Sequence, residues 1–265
     1  MTTLAQPRPG LDARRAALRA HLAELGRLAV AFSGGVDSSA LLAEAVAVLG
    51  DGALAVIADS PSLPRRELIE ARRIATQLGA RLVEVRTTEG NNPAYQANLG
   101  NRCYFCKFAL FDAMQAVCAE HEVPWMAFGE ITDDFRDHRP GAQAAREFGV
   151  VAPLSKADLD KADVRALAAA HGLEVADKPA SACLASRIPV GTVVTPERLA
   201  TVEAAEETLR DLGFAVLRVR HHGAKARIEV DEDQLSRAEE LRGTLVERLA
   251  LLGFEAVEIA VYPRR

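Results

Sequence analysis

The sequence predicts an α/β fold in which a parallel sheet carries helices on both faces, followed by a small C-terminal α+β domain. Three observations lead to this prediction. Short apolar runs alternate with stretches of helical spacing in the N-terminal part, a glycine pair directly follows the first apolar run, and the order of elements changes after about residue 195. Strands that alternate with helices are joined by right-handed crossovers, which makes their sheet mostly parallel and covers both of its faces.

Periodicity places the elements of the first domain. Apolar residues at helical spacing predict a helix over Leu11–Leu25, and the apolar run after it predicts a buried strand over Leu28–Phe32. The alternation continues with a helix from about Ser38, a strand Leu54–Ala58, a helix from about Arg65, a strand Leu82–Val85, a helix Phe108–Ala119 and a strand Trp125–Phe128. Ligands of such folds bind at the carboxyl ends of the strands.

The C-terminal part has a different order of elements, helix, strand, strand, helix, strand. They are predicted over Pro196–Leu212, Ala215–Arg220, Arg227–Val230, Gln234–Leu251 and Glu255–Val261. We therefore expect a first domain over residues 1–190 and a second over 195–265. Two polar or irregular stretches interrupt the pattern, Thr87–Asn101, which is either a functional loop or poorly ordered, and Val175–Thr195.

Composition limits the class of protein. Hydrophobic residues make up 49% and charged residues 26% of the 265 residues, as in an average globular protein. The net charge of −5 disfavours a nucleic-acid partner. No segment has the apolar length of a membrane span, and the N-terminus lacks the apolar region of a signal peptide, so we expect a cytoplasmic protein with no membrane partner. Four cysteines are too few for a disulfide scaffold.

The motif SGGVDSS follows the first predicted strand and opens the first helix of the sheet. Glycines let the backbone approach a phosphate closely, the helix N-terminus offers unpaired N–H groups, and the serines add hydroxyl donors. The motif is neither a Walker A loop nor a dinucleotide fingerprint. It resembles the PP-loop of the ATP pyrophosphatases, which implies an adenine nucleotide alpha hydrolase-like fold and a loop that holds pyrophosphate. The residues assigned to ATP by this resemblance are Ser33, Gly34, Gly35, Asp37, Ser38 and Ser39.

Two later strand ends add candidates for the nucleotide. Asp59 and Ser60 follow the second strand, and Gly129 follows the fourth, where this fold contacts the nucleotide. An N-cap on the next helix is an alternative role for Asp59, compatible with the first.

Three of the four cysteines have a functional setting. Cys103 and Cys106 form a C-x-x-C at a predicted helix start, where thiolates are stabilised, and Cys183 lies in the second irregular stretch. Cys118 follows Phe111 and Met114 at helical spacing and is predicted to be core. Three cysteines fit a [4Fe–4S] cluster with one open iron, or zinc with a further ligand.

Five segments occur in one order along the chain: SGGVDSS, NRCYFCK, GEITDDFRDHRPG, ACLASRIP and RVRHHGAKARIEV. Together they resemble the LarE family of ATP-dependent sulfur transferases, which make the nickel-pincer nucleotide cofactor, and the resemblance spans nearly the whole chain. It implies adenylylation of a carboxylate of pyridinium-3,5-biscarboxylic acid mononucleotide, with magnesium, and displacement of AMP by sulfur.

In one branch of that family a single cysteine gives up its own sulfur, and in another a three-cysteine [4Fe–4S] cluster relays sulfide. The C-x-x-C together with Cys183 favours the cluster branch here, with Cys103 and Cys106 as the other ligands. Lys107, directly after the C-x-x-C, is a catalytic candidate that stabilises charge on the adenylate or lowers the pKa of the thiols.

A dicarboxylate nucleotide needs planar cations, and Arg187, Arg218 and Arg220 are the candidates. Arg218 and Arg220 are two apart on a strand and share a face. Glu206 is a further candidate for substrate binding. Oxygen ligands for magnesium are expected in the loop with Asp133, Asp134 and Asp137, with Asp134 the candidate ligand, or else these residues anchor Arg139 in a salt-bridged loop.

Other functions fit parts of the pattern. A tRNA thiolase and an amide-forming synthetase both use a PP-loop, and a non-catalytic nucleotide-binding protein is also compatible with the scaffold. The net charge disfavours the first and the cysteines are unexplained by the second. The family resemblance also implies a homo-oligomer.

Overall fold

A computed structural model describes residues 8–136, 140–179 and 182–263. By their contacts, the described residues form two compact units. The first comprises residues 8–59, 65–87 and 103–179, and the second comprises residues 60–64, 88–102 and 182–263. Two short segments of the N-terminal half, 60–64 and 88–102, thus belong to the second unit. The periodicity of the sequence does not indicate this placement.

The first unit is built on a four-stranded parallel sheet in the order β3-β2-β1-β4. Its strands are β1 Leu28–Ala31, β2 Ala53–Asp59, β3 Arg81–Arg86 and β4 Trp125–Ala127. Its helices are α1 Leu11–Leu25, α2 Val36–Leu49, α3 Arg65–Gln77, α5 Arg102–Glu120, α6 Pro140–Glu147, α7 Pro153–Lys156 and α8 Lys161–Ala170, whereas α4 Pro93–Ala97 belongs to the second unit. The predicted α/β fold is confirmed.

Helices cover both faces of this sheet because its central strands are apolar on both. Ala29 and Val56 pack with Phe111 and Met114 of α5 on one face. The alternate residues of β1 are equally buried, and α2 contacts β1 and β2 and is itself contacted by α1 and α8. Cys118 packs against the α5 cluster, which confirms its predicted place at the core. Burial raises the pKa of its thiol.

A buried carboxylate joins three helices of this unit. Glu44 of α2 has no exposed surface. It accepts hydrogen bonds from Arg15 Nε at 2.8 Å and Arg19 Nε at 2.6 Å, both from α1, and lies 2.8 Å from His171 Nε2 at the end of α8. Burial raises the pKa of Glu44, but these hydrogen bonds outweigh that effect and leave it lowered. The pair interactions therefore hold α1 and α8 to α2.

The second unit has a three-stranded sheet in the order β5-β6-β7, with β5 antiparallel and β7 parallel to β6. Its C-terminal elements are α9 Pro196–Asp211, β5 Leu217–His222, β6 Lys225–Val230, α10 Leu235–Glu240, α11 Arg242–Ala250 and β7 Ala256–Val261. Alternate residues such as Leu217, Val219 and Ile228 pack in a core with α9 and α11. The residues between them lie on the opposite face of the sheet, which carries polar side chains.

One sequence expectation changes in this unit. The predicted helix over Gln234–Leu251 is two helices, because Leu241 has a non-helical backbone with ψ of 5° and Gly243, a poor helix former, follows it. The stretch Thr87–Asn101, predicted to be either a functional loop or poorly ordered, contains α4, whose N-cap Asn92 accepts a hydrogen bond from the N–H of Ala94 at 2.9 Å. No helix in the described part of the chain is long and apolar enough to cross a bilayer.

Candidate functional site

The SGGVDSS segment lies between β1 and α2, as the sequence predicts. Gly34 has φ of +73°, a conformation that favours glycine, and an added Cβ there would lie 3.1 Å from the Cβ of Ala71. Ser33 donates its N–H to Ser38 Oγ at 3.2 Å, and the two hydroxyls are 3.1 Å apart. The hydroxyl of Ser38 also donates to the carbonyl of Gly35 at 3.1 Å. These bonds close the loop around the start of α2.

Gly129, which follows β4, lies against the backbone at the start of α2. A Cβ at Gly129 would lie 2.9 Å from the backbone nitrogen of Ser38 and 3.0 Å from the carbonyl carbon of Asp37. Glycine is therefore required for the segment after β4 to lie against the loop. Ser39 is fully buried and its hydroxyl has no hydrogen-bond partner among the described residues. The predicted loop residues and Gly129 are thus brought together.

Lys161, which the sequence analysis did not identify, lies at this loop. Its Nζ donates to both carboxylate oxygens of Asp37, at 2.8 Å and 2.9 Å. The backbone N–H of Lys161 donates to Asp133 Oδ2 at 2.8 Å, so Asp133 holds the first residue of α8. Lys161 and Asp37 are 124 residues apart, so no local pattern relates them. Its charge balances the carboxylate of Asp37 within the SGGVDSS loop.

The other acidic candidates have partners within the unit. Asp59 at the end of β2 is paired with the guanidinium of Arg65 at the start of α3. Asp134 Oδ2 accepts a hydrogen bond from the N–H of Ile131 at 3.3 Å. Asp137 and Arg139 lie outside the described residues. No group of three His, Cys, Asp or Glu side chains within the described ranges is arranged to hold a metal ion. The predicted ligands, Asp134 for magnesium and Cys103, Cys106 and Cys183 for a cluster, therefore stay predictions.

The C-x-x-C lies in the first turns of α5, which begins at Arg102 as the predicted helix start requires. Cys103 is exposed and Cys106 is half-buried. Burial lowers the pKa of Lys107, and the thiolates of Cys106 and Cys103 act in the opposite direction. The Lys107 Nζ lies 5.7 Å from the centroid of the Phe111 ring. Burial therefore disfavours the charged form of Lys107 beside the two thiols.

In the second unit, the turn that carries Cys183 lies against the segment after β2. Ser60 and Ser62 are buried with hydroxyls 2.9 Å apart, and the carbonyl of Ser62 accepts the N–H of Leu184 at 2.8 Å. Cys183 is half-buried and precedes a 3-10 turn, Leu184–Arg187. A predicted nucleotide residue and a predicted sulfur residue therefore lie in adjacent segments of one unit.

The strand β5 carries the other two arginine candidates on the polar face of its sheet. Arg218 stacks over Tyr262 at 4.7 Å from guanidinium carbon to ring centroid, and Arg220 Nε donates to Glu229 Oε1 at 2.7 Å. Arg227 of β6 lies directly opposite Arg220 and adds a third cation to this face. The sequence analysis did not identify Arg227, although the alternation of residues along the predicted strand could have indicated it. Burial lowers the pKa of Arg218, and the charges of Arg187 and Arg220 contribute. Glu229 and Glu258 balance part of this positive charge, through Arg220 and Arg227.

Arg187 and Glu206, the remaining substrate candidates, pair with each other. Arg187 is 4% exposed and Glu206 is 2% exposed, and Arg187 Nε donates to Glu206 Oε1 at 2.8 Å. Their charges are mutually compensated, and their role in substrate binding stays a prediction.

Comparison with known proteins gives the family. The chain is 36% identical over 250 residues, 94% of its length and 91% of the relative's, to the pyridinium-3,5-bisthiocarboxylic acid mononucleotide synthase of Lactiplantibacillus plantarum. The chain belongs to the LarE family. The resemblance stated from the sequence motifs is thereby confirmed.

Two further relatives are uncharacterised. One, from Synechocystis, is 41% identical over 92% of both chains, and the other, from Methanocaldococcus jannaschii, is 26% identical over 87% of this chain and 88% of its own. A scan of protein-family models found no match. Membership of the LarE family therefore rests on the similarity to the synthase together with the loop, cysteine and arginine segments described above.

Proposed function

We propose that this LarE family member is an ATP-dependent sulfur transferase of nickel-pincer nucleotide synthesis. It adenylylates a carboxylate of pyridinium-3,5-biscarboxylic acid mononucleotide and converts it to a thiocarboxylate. The observation that carries the proposal is the match, over 94% of the chain, to a synthase whose name states the bisthiocarboxylic acid product. The protein acts in the cytoplasm as a homo-oligomer, without a membrane or nucleic-acid partner.

The first step is attack of a substrate carboxylate oxygen on the α-phosphorus of ATP, which forms the acyl adenylate and releases pyrophosphate. The SGGVDSS loop receives the phosphates because its backbone follows a glycine pair into a helix N-terminus. Asp37 would repel them were its charge not balanced by Lys161. Asp59, Ser60 and Gly129 complete the predicted nucleotide contacts at the strand ends. Magnesium is the expected companion of ATP, with Asp134 its candidate ligand.

The arginine face of the second unit anchors the substrate. Arg218 has no salt bridge with a carboxylate among the described residues, whereas Arg220 and Arg227 share Glu229. An unbalanced guanidinium that is partly buried favours an anionic ligand, because carboxylate and phosphate accept two parallel hydrogen bonds from it. Arg218 is therefore the principal substrate cation, with Arg220 beside it.

Sulfur enters in the second step. In the sacrificial route, the Cys183 thiolate attacks the acyl carbon and AMP leaves with its bonding electrons. A base then removes the Cα proton of Cys183, the Cβ–S bond breaks, and the products are the thiocarboxylate and dehydroalanine. In the other route, Cys103, Cys106 and Cys183 would hold a [4Fe–4S] cluster, which would supply the sulfide, as the cysteine pattern predicts. Cys183 is common to both routes.

One experiment tests both routes. The protein is purified anaerobically, and iron, sulfide and intact mass are measured before and after turnover with ATP and the biscarboxylate nucleotide. About four irons per chain and an unchanged mass indicate the cluster route. An iron-free protein that loses the mass of hydrogen sulfide at Cys183 indicates the sacrificial route. Failure to release pyrophosphate with that substrate refutes the proposed function.

A further inference from the structure

The side chain of Arg187 holds the turn that carries Cys183. Its Nη1 donates to the carbonyl oxygens of Ala182 and Cys183, at 2.5 Å and 3.1 Å, and lies 3.0 Å from Ser186 Oγ. The carbonyl of Cys183 also accepts the N–H of Ser186 at 2.9 Å. Together with the Leu184 N–H, which is bound to the carbonyl of Ser62, these bonds fix the backbone on both sides of the cysteine.

The same guanidinium is tied to the arginine strand through one carboxylate. Glu206 Oε1 accepts Arg187 Nε at 2.8 Å and the backbone N–H of Val219 at 3.2 Å. Val219 is the residue between Arg218 and Arg220 in β5. A buried carboxylate thus receives the arginine of the cysteine turn and the backbone of the strand that carries the two predicted substrate cations.

Stability alone is a weak reason for such a pair. Removing two charges from water is costly, and well-packed apolar residues often stabilise a protein as much or more. What a buried ion pair adds is direction, because every bond to the guanidinium fork and to the carboxylate has a preferred angle. The Arg187–Glu206 pair therefore specifies where the Cys183 turn lies relative to β5.

We propose that Arg187 is a positioning residue for Cys183, and that the Arg187–Glu206 pair sets the distance between the cysteine and the substrate cations of β5. The inference rests on the proposed function of Cys183 and holds in either sulfur route. Transfer requires sulfur to approach the acyl carbon of an adenylate held by Arg218, and a misplacement of about 1 Å costs on the order of 100-fold in rate. This positioning role acts through the backbone of the Cys183 turn and requires no contact between Arg187 and the substrate.

The test separates activation from sulfur transfer. Pyrophosphate release and thiocarboxylate formation are measured on the same preparation of Arg187→Gln, with ATP and the biscarboxylate nucleotide. We expect thiocarboxylate formed per pyrophosphate released to fall on the order of 100-fold. Arg187→Lys, which retains the charge but not the fork, recovers part of that ratio. Arg218→Gln lowers both products together and leaves the ratio within about threefold of the parent, because it weakens substrate binding before either step.

Arg210→Gln is the matched control. Arg210 Nη2 also donates to Glu206, at 3.3 Å, but within the described part of the chain no hydrogen bond joins Arg210 to the cysteine turn. Its ratio is expected to equal that of the parent protein. A ratio unchanged in Arg187→Gln, or lowered equally in Arg210→Gln, would overturn the proposal.

A second measurement does not depend on the proposed activity. The rate of Cys183 alkylation by iodoacetamide is followed by peptide mass, without substrate. Arg187→Gln is expected to change the rate of Cys183 alkylation at least about fivefold, because the carbonyls of Ala182 and Cys183 lose the guanidinium as hydrogen-bond donor. The rate of Cys103 alkylation is expected to stay the same. Equal Cys183 rates in the parent and Arg187→Gln would refute the positioning role, even if no pyrophosphate were released. If Arg187→Gln does not fold, Glu206→Gln is assayed by the same ratio and the same alkylation rate, with the same expectations.

Discussion

The replacement Gly129→Ala, which adds one methyl group, tests whether the close approach of the segment after β4 shapes the SGGVDSS loop. An added Cβ would lie 2.9 Å from the Ser38 nitrogen and 3.0 Å from the Asp37 carbonyl carbon. Ordinary carbon contacts begin at about 3.5 Å, so the backbone must separate by about 0.5 Å. Both neighbours are backbone atoms at a helix start, which cannot rotate away as a side chain would.

The expected cost follows from that displacement. Overpacking of a close contact costs about 1–3 kcal/mol. If the start of α2 moves, the N–H groups that we propose bind the phosphates move with it, and the same energy appears as a loss of about 5- to 150-fold in kcat/KM for pyrophosphate release. We therefore expect Gly129→Ala to lower the unfolding free energy, the kcat/KM for ATP, or both, by a combined energy in that range.

The assay measures urea unfolding and pyrophosphate release for the parent, Gly129→Ala and Gly243→Ala. Gly243 in α11 has no atom within 4 Å of an added Cβ. Its replacement should stabilise the protein by about 0.5–1 kcal/mol through helix propensity and leave kcat/KM unchanged. If Gly129→Ala behaved like Gly243→Ala in both measurements, the argument that Gly129 is needed for close approach to the loop would be refuted.

Three further predictions test the remaining charges and thiols. Lys161→Met should change the urea unfolding free energy by less than about 1 kcal/mol, because the Lys161–Asp37 pair is partly exposed. It should raise the KM for ATP about 5- to 30-fold, because the charge of Asp37 is then unbalanced. An unchanged KM would contradict this prediction. Glu44→Gln should lower the unfolding free energy by about 3 kcal/mol at neutral pH. Because the pKa of Glu44 is lowered on folding, that difference is present above about pH 4.5 and must shrink as pH falls further, which urea titrations at several pH values measure. Iodoacetamide at pH 8 should label Cys103 at least about tenfold faster than Cys118, whose pKa burial raises, and equal rates by peptide mass would disprove that order.

The local sequence pattern predicted much of the fold, because the spacing of apolar residues along the chain follows the buried face of each helix or strand. The helix Leu11–Leu25 has the bounds that its apolar spacing predicts, and the first strands of the parallel sheet lie where apolar runs occur. Alternation along β5 likewise predicted that Arg218 and Arg220 share a face. The break at Leu241 was not predicted, because a helical pattern continues across it and only the backbone conformation interrupts it.

The candidate site was predicted by residue type but not by partner. The sequence identified the SGGVDSS loop, the C-x-x-C at a helix start and the arginine strand, since each is a short motif whose chemistry depends on neighbours in the chain. It did not identify Lys161 as the partner of Asp37, nor the pairing of Arg187 with Glu206. Such pairs join residues of different elements, and their spacing in the chain carries no information about contact.

The sequence by itself therefore determined most element types, the parallel sheet, the place of the SGGVDSS loop between a strand and a helix, and the family, because these depend on periodicity and on short contiguous motifs. Only the tertiary structure decided which charges are compensated: Asp37 by Lys161, Glu44 by two arginines, and Arg187 by Glu206. It also decided that Arg218 is left without a carboxylate partner among the described residues. The physical reason is that the energy of a charge depends on distance and burial, which are properties of the folded chain and not of the order of its residues.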